Sequence, residues 1–225
     1  MQLLDQVRLI ARAAPSELLR YFFERNWKRK FVKQLESLNV NVVFDIGSNT
    51  GQYAAGLRKA GYQGRMISFE PLSQPFATLE RRASKDPLWG CRRHALGDAH
   101  GTVSVNIAGN AAQSSSVLPM LKSHQDAFPP ANYVGVEDVA VYRLDSVASE
   151  IFAANRCDFP EIDVQGFEKQ VLAGSETTLA NSCVGMQLEL SFLPLYEGNR
   201  ITTVFIDPGD GRTLQADGVF LREKD

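Results

Sequence analysis

The chain has 225 residues, 44% apolar and 22% charged, enough for one well-buried domain with an appendage. A formal net charge of -2 and a pI of about 6.0 exclude the strongly basic balance of a dedicated nucleic-acid binder. Cys91, Cys157 and Cys183 fit no zinc spacing, Asp5 and Arg8 interrupt the only apolar run at the start, and no stretch approaches the ~18 apolar residues of a membrane span, so the expectation is a cytoplasmic protein with reduced thiols.

Residues 1–40 carry apolar side chains at helical spacings of three and four, from Leu3 to Leu38. Pro15-Ser16-Glu17 marks a break and restart between two helices. This segment has a net charge of +4 and the remainder -6. It is read as an N-terminal helical extension preceding a domain over 41–225. Its basic residues Arg25, Lys28, Arg29, Lys30 and Lys33 form either a solvated face or a surface for a membrane or partner.

From residue 41 the pattern alternates. Val42 to Ile46 is a buried strand ending in a glycine turn, and Gln52 to Ala60 a helix stopped at Gly61. Met66 to Glu70 is a second strand, Leu72 to Ala83 a second helix, and Arg92 to Leu96 a short third strand. This order predicts βαβ units in a mostly parallel, doubly wound α/β sheet of the Rossmann-like kind. Thr102 to Ile107 and Val139 to Arg143 alternate like half-exposed strands. The long polar stretch between them, with Ser114-Ser115-Ser116, is read as a lid on the acceptor side. The sheet resumes at Phe159 to Val164 and Val184 to Leu190, and Thr203 to Ile206 with Leu214 to Leu221 predict a C-terminal antiparallel β-hairpin.

The central motif is Asp45-Ile46-Gly47-Ser48-Asn49-Thr50-Gly51-Gln52-Tyr53. Gly47 lets the backbone approach a ligand, so a valine there is expected to abolish cofactor binding in a folded protein. Gly51 opens the following helix, whose N-terminus suits a carboxylate or phosphate. Glu70, at the end of the second strand, is placed to accept hydrogen bonds from ribose hydroxyls at the ligand-binding edge. The spacing G-x-x-x-G departs from the dinucleotide G-x-G-x-x-G, and Asp45 suits an ammonium better than a pyrophosphate. S-adenosylmethionine is therefore expected rather than NAD. The open alternatives are an NAD-binding oxidoreductase and a non-catalytic binding module.

Seven stretches in order resemble the FkbM-type methyltransferases, a branch of the class I S-adenosylmethionine-dependent fold. They are Val43 to Gly51, Ser68 to Pro71, Ala95 to Asp98, Ser114 to Ser116, Leu144 to Ser146, Ile162 to Glu168 and Gln187 to Ser191. The resemblance implies O-methylation of a hydroxyl on a sugar, glycolipid or polyketide-type molecule, with Ala95, Leu96 and Gly97 lining the adenine. The expected cofactor set is Asp45, Gly47, Ser48, Asn49, Gly51, Gln52, Tyr53, Glu70, Pro71, Ala95, Leu96, Gly97 and Asp163. The family's fold places a helix and part of a strand after Leu195, where this chain has too few residues, so an irregular segment is expected after Tyr196.

Transfer to a hydroxyl benefits from a general base. The candidates are Asp163, Glu189 and Glu168; their alternatives are a cofactor-orienting carboxylate, a salt-bridged strand end and a helix-start residue. His94, His100 and His124 are read as structural, with His94 near the cofactor and His124 in the lid as the alternatives. No metal is assigned. A small-molecule or glycan acceptor is expected as the partner, with no nucleic acid.

Overall fold

Five consecutive buried residues, Val42–Ile46, form β1 near the centre of a six-stranded sheet. The computed structural model describes residues 16–151, 158–191, 195–197 and 215–222. The helix expected before Pro15, Cys157, and the strand over 203–206 lie outside these residues, as does nearly all of the segment after Tyr196.

Helix α1 (Ser16–Ser37) precedes β1, and α2 (Gln52–Ala60) follows it, closed by Gly61 at φ +113°. Next come β2 (Arg65–Phe69), α3 (Ser73–Ala83) and β3 (Trp89–Arg92). A second sheet holds β4 (Ala95–Leu96), β5 (Gly101–Ala108) and β6 (Tyr133–Tyr142), with α4 (Lys122–Ala127) and a 3-10 turn at Pro129–Ala131 between β5 and β6. Then follow α5 (Leu144–Ile151), β7 (Asp158–Ile162), α6 (Glu168–Ala173), α7 (Glu176–Asn181), β8 (Gly185–Ser191) and β9 (Gln215–Leu221). The large sheet runs β3-β2-β1-β7-β8-β9, parallel except for β9, which pairs antiparallel with β8. The chain therefore builds outward from β1 in both directions, and the topological switch point lies between β1 and β7.

Strand side chains alternate between faces, so β1 feeds two cores. Val43 packs with Phe31, Val32 and Leu35 of α1, Ala54 and Leu57 of α2, and Leu79 of α3. Phe44 and Ile46 pack with Leu144 and Ala148 of α5 and Val171 of α6. The basic helix α1 is thus seated by its inner side chains in the main core, while Arg29, Lys30 and Lys33 stay exposed. No described helix is long and apolar enough to cross a membrane.

The third expected strand, Arg92 to Leu96, is two strands in two sheets. β3 begins earlier because Trp89 buries its ring and donates Nε1–H to Ser68 Oγ at 2.9 Å, drawing residues 89–92 onto β2. The chain then turns at Arg93 and His94, and Ala95–Leu96 pairs parallel with β6. The lid segment also contains α4, and its Met120 and Ala131 pack with Leu195 and Tyr196 in an apolar cluster.

Candidate functional site

The turn after β1 starts the site. Gly47 N–H, Ser48 N–H and Ser48 Oγ all donate to the Phe69 carbonyl at 3.0–3.1 Å, tying the turn to the end of β2. Gly47 sits at φ +90°, and a Cβ there would lie 1.8 Å from the Asp163 carbonyl oxygen. The glycine is demanded first by the backbone at the end of β7, before any ligand is considered. Gly51, at φ +80°, would press a Cβ against Trp89 and Leu79.

Glu70 joins two loops. Its Oε2 accepts Asn49 N–H and its Oε1 accepts Leu72 N–H, each at 2.8 Å. Burial pushes its pKa up to about 7 despite those amides. Each carboxyl oxygen accepts one hydrogen bond here and retains a second lone pair.

A cleft opens at this carboxyl edge, on the face of β1 that carries Ile46. Gly47, Asn49, Glu70, Pro71, Ala95, Leu96 and Asp163 line it, together with His94, Gln165 and Phe167. Ala112, Gln113, Ser115, Ser116 and Val117 of the lid close one side. Asn49 Nδ2 donates to the Ala111 carbonyl at 3.1 Å, fastening the lid to the glycine turn.

Other expected residues stand around the cleft without lining it: Asp45, Ser48, Gly51, Gln52, Tyr53, Gly97, Glu168 and Glu189. Asp45 shares the face of Val43, beneath α2. Its Oδ2 accepts Ser68 Oγ–H at 2.6 Å and its Oδ1 makes no hydrogen bond. Burial raises its pKa to about 6. Register sets Ser68, Asp45, Glu161 and Gln187 side by side on four strands, all buried, and Tyr53 O–H donates to Gln187 Oε1 at 3.1 Å. A polar row therefore underlies the strand ends. Gly97 gives up a Cβ to the side chains of Val141 and Phe167.

The three candidate bases separate. Asp163 follows β7 and reaches the cleft; burial raises its pKa. Glu189 of β8 stands behind it, half-buried, and Gln165 Nε2 donates to both, at 2.6 Å to Asp163 and 2.7 Å to Glu189. Glu168 instead accepts Val164 N–H and Gly166 N–H on one oxygen, clamping the turn before α6, and burial raises its pKa to about 7. Among the described residues no cluster of three or more His, Cys, Asp or Glu is placed to hold a metal.

Sequence reading singled out neither Gln165 nor Tyr196 nor the apolar wall of Val105, Val117 and Phe167. Gln165 lies in the motif Asp163 to Glu168, but its role depends on Glu189 and Tyr196, which spacing does not bring together. The serines of the lid use their hydroxyls internally. Ser115 Oγ accepts Ala108 N–H at 3.0 Å, and Ser116 Oγ donates to the Gln165 carbonyl at 2.7 Å.

Helices on both faces of a mostly parallel sheet, with a cleft at the strand ends beside the switch point, define a Rossmann-like α/β architecture, and the cleft lies where ligands bind in open sheets of this kind. The model of the Methyltransferase FkbM domain matches residues 45–219, and the chain belongs to this family. It is similar to a protein of Sinorhizobium fredii named 2-O-methyltransferase NoeI, 29% identical over 186 residues, covering 80% of this chain and 74% of that protein. It is also similar to Methyltransferase 1 of Beauveria bassiana, 24% identical over 142 residues, covering 59% of this chain and 57% of that protein.

Proposed function

We propose that the chain uses S-adenosylmethionine to methylate a hydroxyl on a sugar, glycolipid or polyketide-type molecule. The observation that carries this reading is the cleft itself, with Glu70 buried at one side and Asp163 at the other. The similarity to a protein named as a 2-O-methyltransferase supports a hydroxyl acceptor.

The residues fit the cofactor. Glu70 retains lone pairs for ribose hydroxyls, and Ala95 and Leu96 offer an apolar wall for adenine. Asp163, on the side nearest the glycine turn, adds the negative potential that suits a cationic methionyl tail. Asp45, Gln52 and Tyr53 act from below, holding the turn and α2 in place. When bound, S-adenosylmethionine supplies an electrophilic methyl group.

The protein's part is to place the acceptor oxygen in line with that group and to take its proton. Asp163 is the group we assign to this step, with Glu189 behind it. Burial disfavours the charge on Asp163, which makes its carboxylate a stronger base than an exposed one. The lid walls one side of the cleft. The reading extends to a cytoplasmic enzyme with a domain over 41–225, an N-terminal extension over 1–40 whose basic face is either solvated or open to a membrane surface or partner, and no nucleic-acid substrate.

Calorimetry with S-adenosylmethionine, its demethylated product and NAD is the first test, followed by a labelled-methyl assay on a panel of hydroxyl acceptors. Binding of NAD alone would assign an oxidoreductase. Binding of the methyl donor without transfer to any acceptor would assign a binding module.

A further inference from the structure

Gln165 is held in an unusual way. Its backbone adopts φ +53°, in the left-handed region, and Gly166 follows at φ +100°. That turn sends the Gln165 side chain back across the strand ends, where it is 8% exposed. A left-handed conformation is unfavourable for a residue with a Cβ, so compensating contacts must hold it. They are all present. Nε2 donates to Asp163 at 2.6 Å and to Glu189 at 2.7 Å. Oε1 accepts Tyr196 O–H at 2.8 Å, and the main-chain oxygen accepts Ser116 O–H at 2.7 Å.

This pattern fixes the amide orientation. Two carboxyl oxygens need a donor, so they face the NH2 group; a phenol hydrogen needs an acceptor, so it faces Oε1. Tyr196 O–H also lies 3.3 Å from the Ser114 carbonyl, but one hydrogen serves the shorter contact. Tyr196 is itself anchored, since its ring packs on the face of Gly166, where a Cβ would lie 3.1 Å from it. The groups favouring charge on Asp163 are Glu189 and Gln165. The other titratable groups around the pair are Asp45 and Glu161 beneath it, Glu168 at the start of α6, Tyr196, and Tyr133 and His124 beyond Tyr196. None of these is a lysine or arginine.

We propose that Gln165 is the positioning residue of the Asp163–Glu189 pair, its one amide nitrogen holding both carboxyl groups at the cleft while Tyr196 and Ser116 hold the amide. The consequence is a mechanical link. The lid, through Ser116 and the strand-like bridge of Met120 to Tyr196, sets the position of the groups that act on the acceptor. The proposal rests on the methyltransferase reading for what the pair does, but not for how it is held.

Gln165→Met keeps the length of the side chain and removes the amide. Infrared titration of carboxyl bands, with the Asp163→Asn spectrum subtracted, reads protonation of the pair without any substrate. Loss of the bridging donor is expected to move that midpoint upward by ~1 pH unit. An unmoved midpoint overturns the proposal, whether or not the protein transfers methyl groups. With an acceptor identified, Gln165→Met is expected to lower kcat ~10-fold, leave the KM for S-adenosylmethionine within about threefold, and shift the acid limb of turnover by the same amount as the infrared midpoint. Turnover and limb both at wild-type values would overturn it as well. If Gln165→Met does not fold, Tyr196→Phe releases Oε1 and leaves the amide in place. A smaller upward shift in the same direction is expected there, and no shift overturns the proposal. Wild-type protein that transfers no methyl to any acceptor defeats the functional reading instead, and the infrared result alone then decides the positioning role.

Discussion

At the scale of single residues, two positions separate structural from ligand-directed demands. Gly47 faces the Asp163 carbonyl so closely that even alanine forces β1 and β7 apart. Gly47→Ala is expected to lose ~3 kcal/mol or more of stability, combining backbone strain with the clash. Chemical denaturation checks this, and a variant as stable as wild type would show that the turn relaxes freely. Glu70 works differently, because its carboxylate clamps two backbone amides and still lines the cleft. Glu70→Gln keeps the shape but turns one accepting oxygen into a donor facing an amide N–H. Cofactor affinity is expected to fall roughly 10- to 150-fold, equivalent to ~1.5–3 kcal/mol of charge-assisted bonding. Calorimetry showing unchanged affinity for the demethylated product would remove Glu70 from the ribose contact.

At the scale of elements, the lid is held at both ends and has one buried polar irregularity. His124 of α4 is 9% exposed, its ring meets Tyr196 edge-on at 5.4 Å, and its Nδ1 makes no hydrogen bond. Burial lowers its pKa below the usual 6.5, so the folded lid holds a neutral ring. A depressed histidine pKa contributes stability above the unfolded value and loses it as pH falls. His124→Phe removes both the orphaned atom and the titration. It is expected to gain ~1–3 kcal/mol, with the gain growing as pH drops below about 6.5. Urea unfolding on either side of that pH measures the difference. A gain independent of pH would mean that the ring does not titrate on unfolding.

At the scale of the whole molecule, buried carboxyl groups dominate the response to pH. Asp45 is raised to about 6 and Glu70 and Glu168 to about 7, each by burial. In the window between their unfolded and folded values the folded chain keeps protons that the unfolded chain has lost. Stability is therefore expected to fall as pH rises from about 5 to about 7.5, with His124 opposing only in part. Asp86, Glu137 and Asp145, lowered in the fold, titrate below this window and do not reverse the sign. Denaturant midpoints across the window test the slope, which Glu168→Gln is expected to flatten. A midpoint that climbs steadily to pH 7.5 would show that these groups ionise without penalty.

The sequence by itself determined the local elements and their order. β1 and its glycine turn, the stop of α2 at Gly61, and Glu70 beyond β2 all follow from periodicity and backbone chemistry within a few residues. It also set Asp163 just past one parallel strand and Glu189 on the next, because neighbouring strands run side by side. Only the tertiary structure decided which face each side chain serves. Asp45 turns from the cleft into a polar row because register sets it between Ser68 and Glu161. The expected third strand divides because Trp89 finds a partner 21 positions earlier in Ser68. Gln165 meets Glu189 of β8 and Tyr196 beyond it, 24 and 31 positions away, where the turn after β7 packs beside the end of β8. Short-range preference fixes a strand or a turn, whereas a hydrogen-bonded cluster drawn from distant segments exists only once packing has brought those segments together.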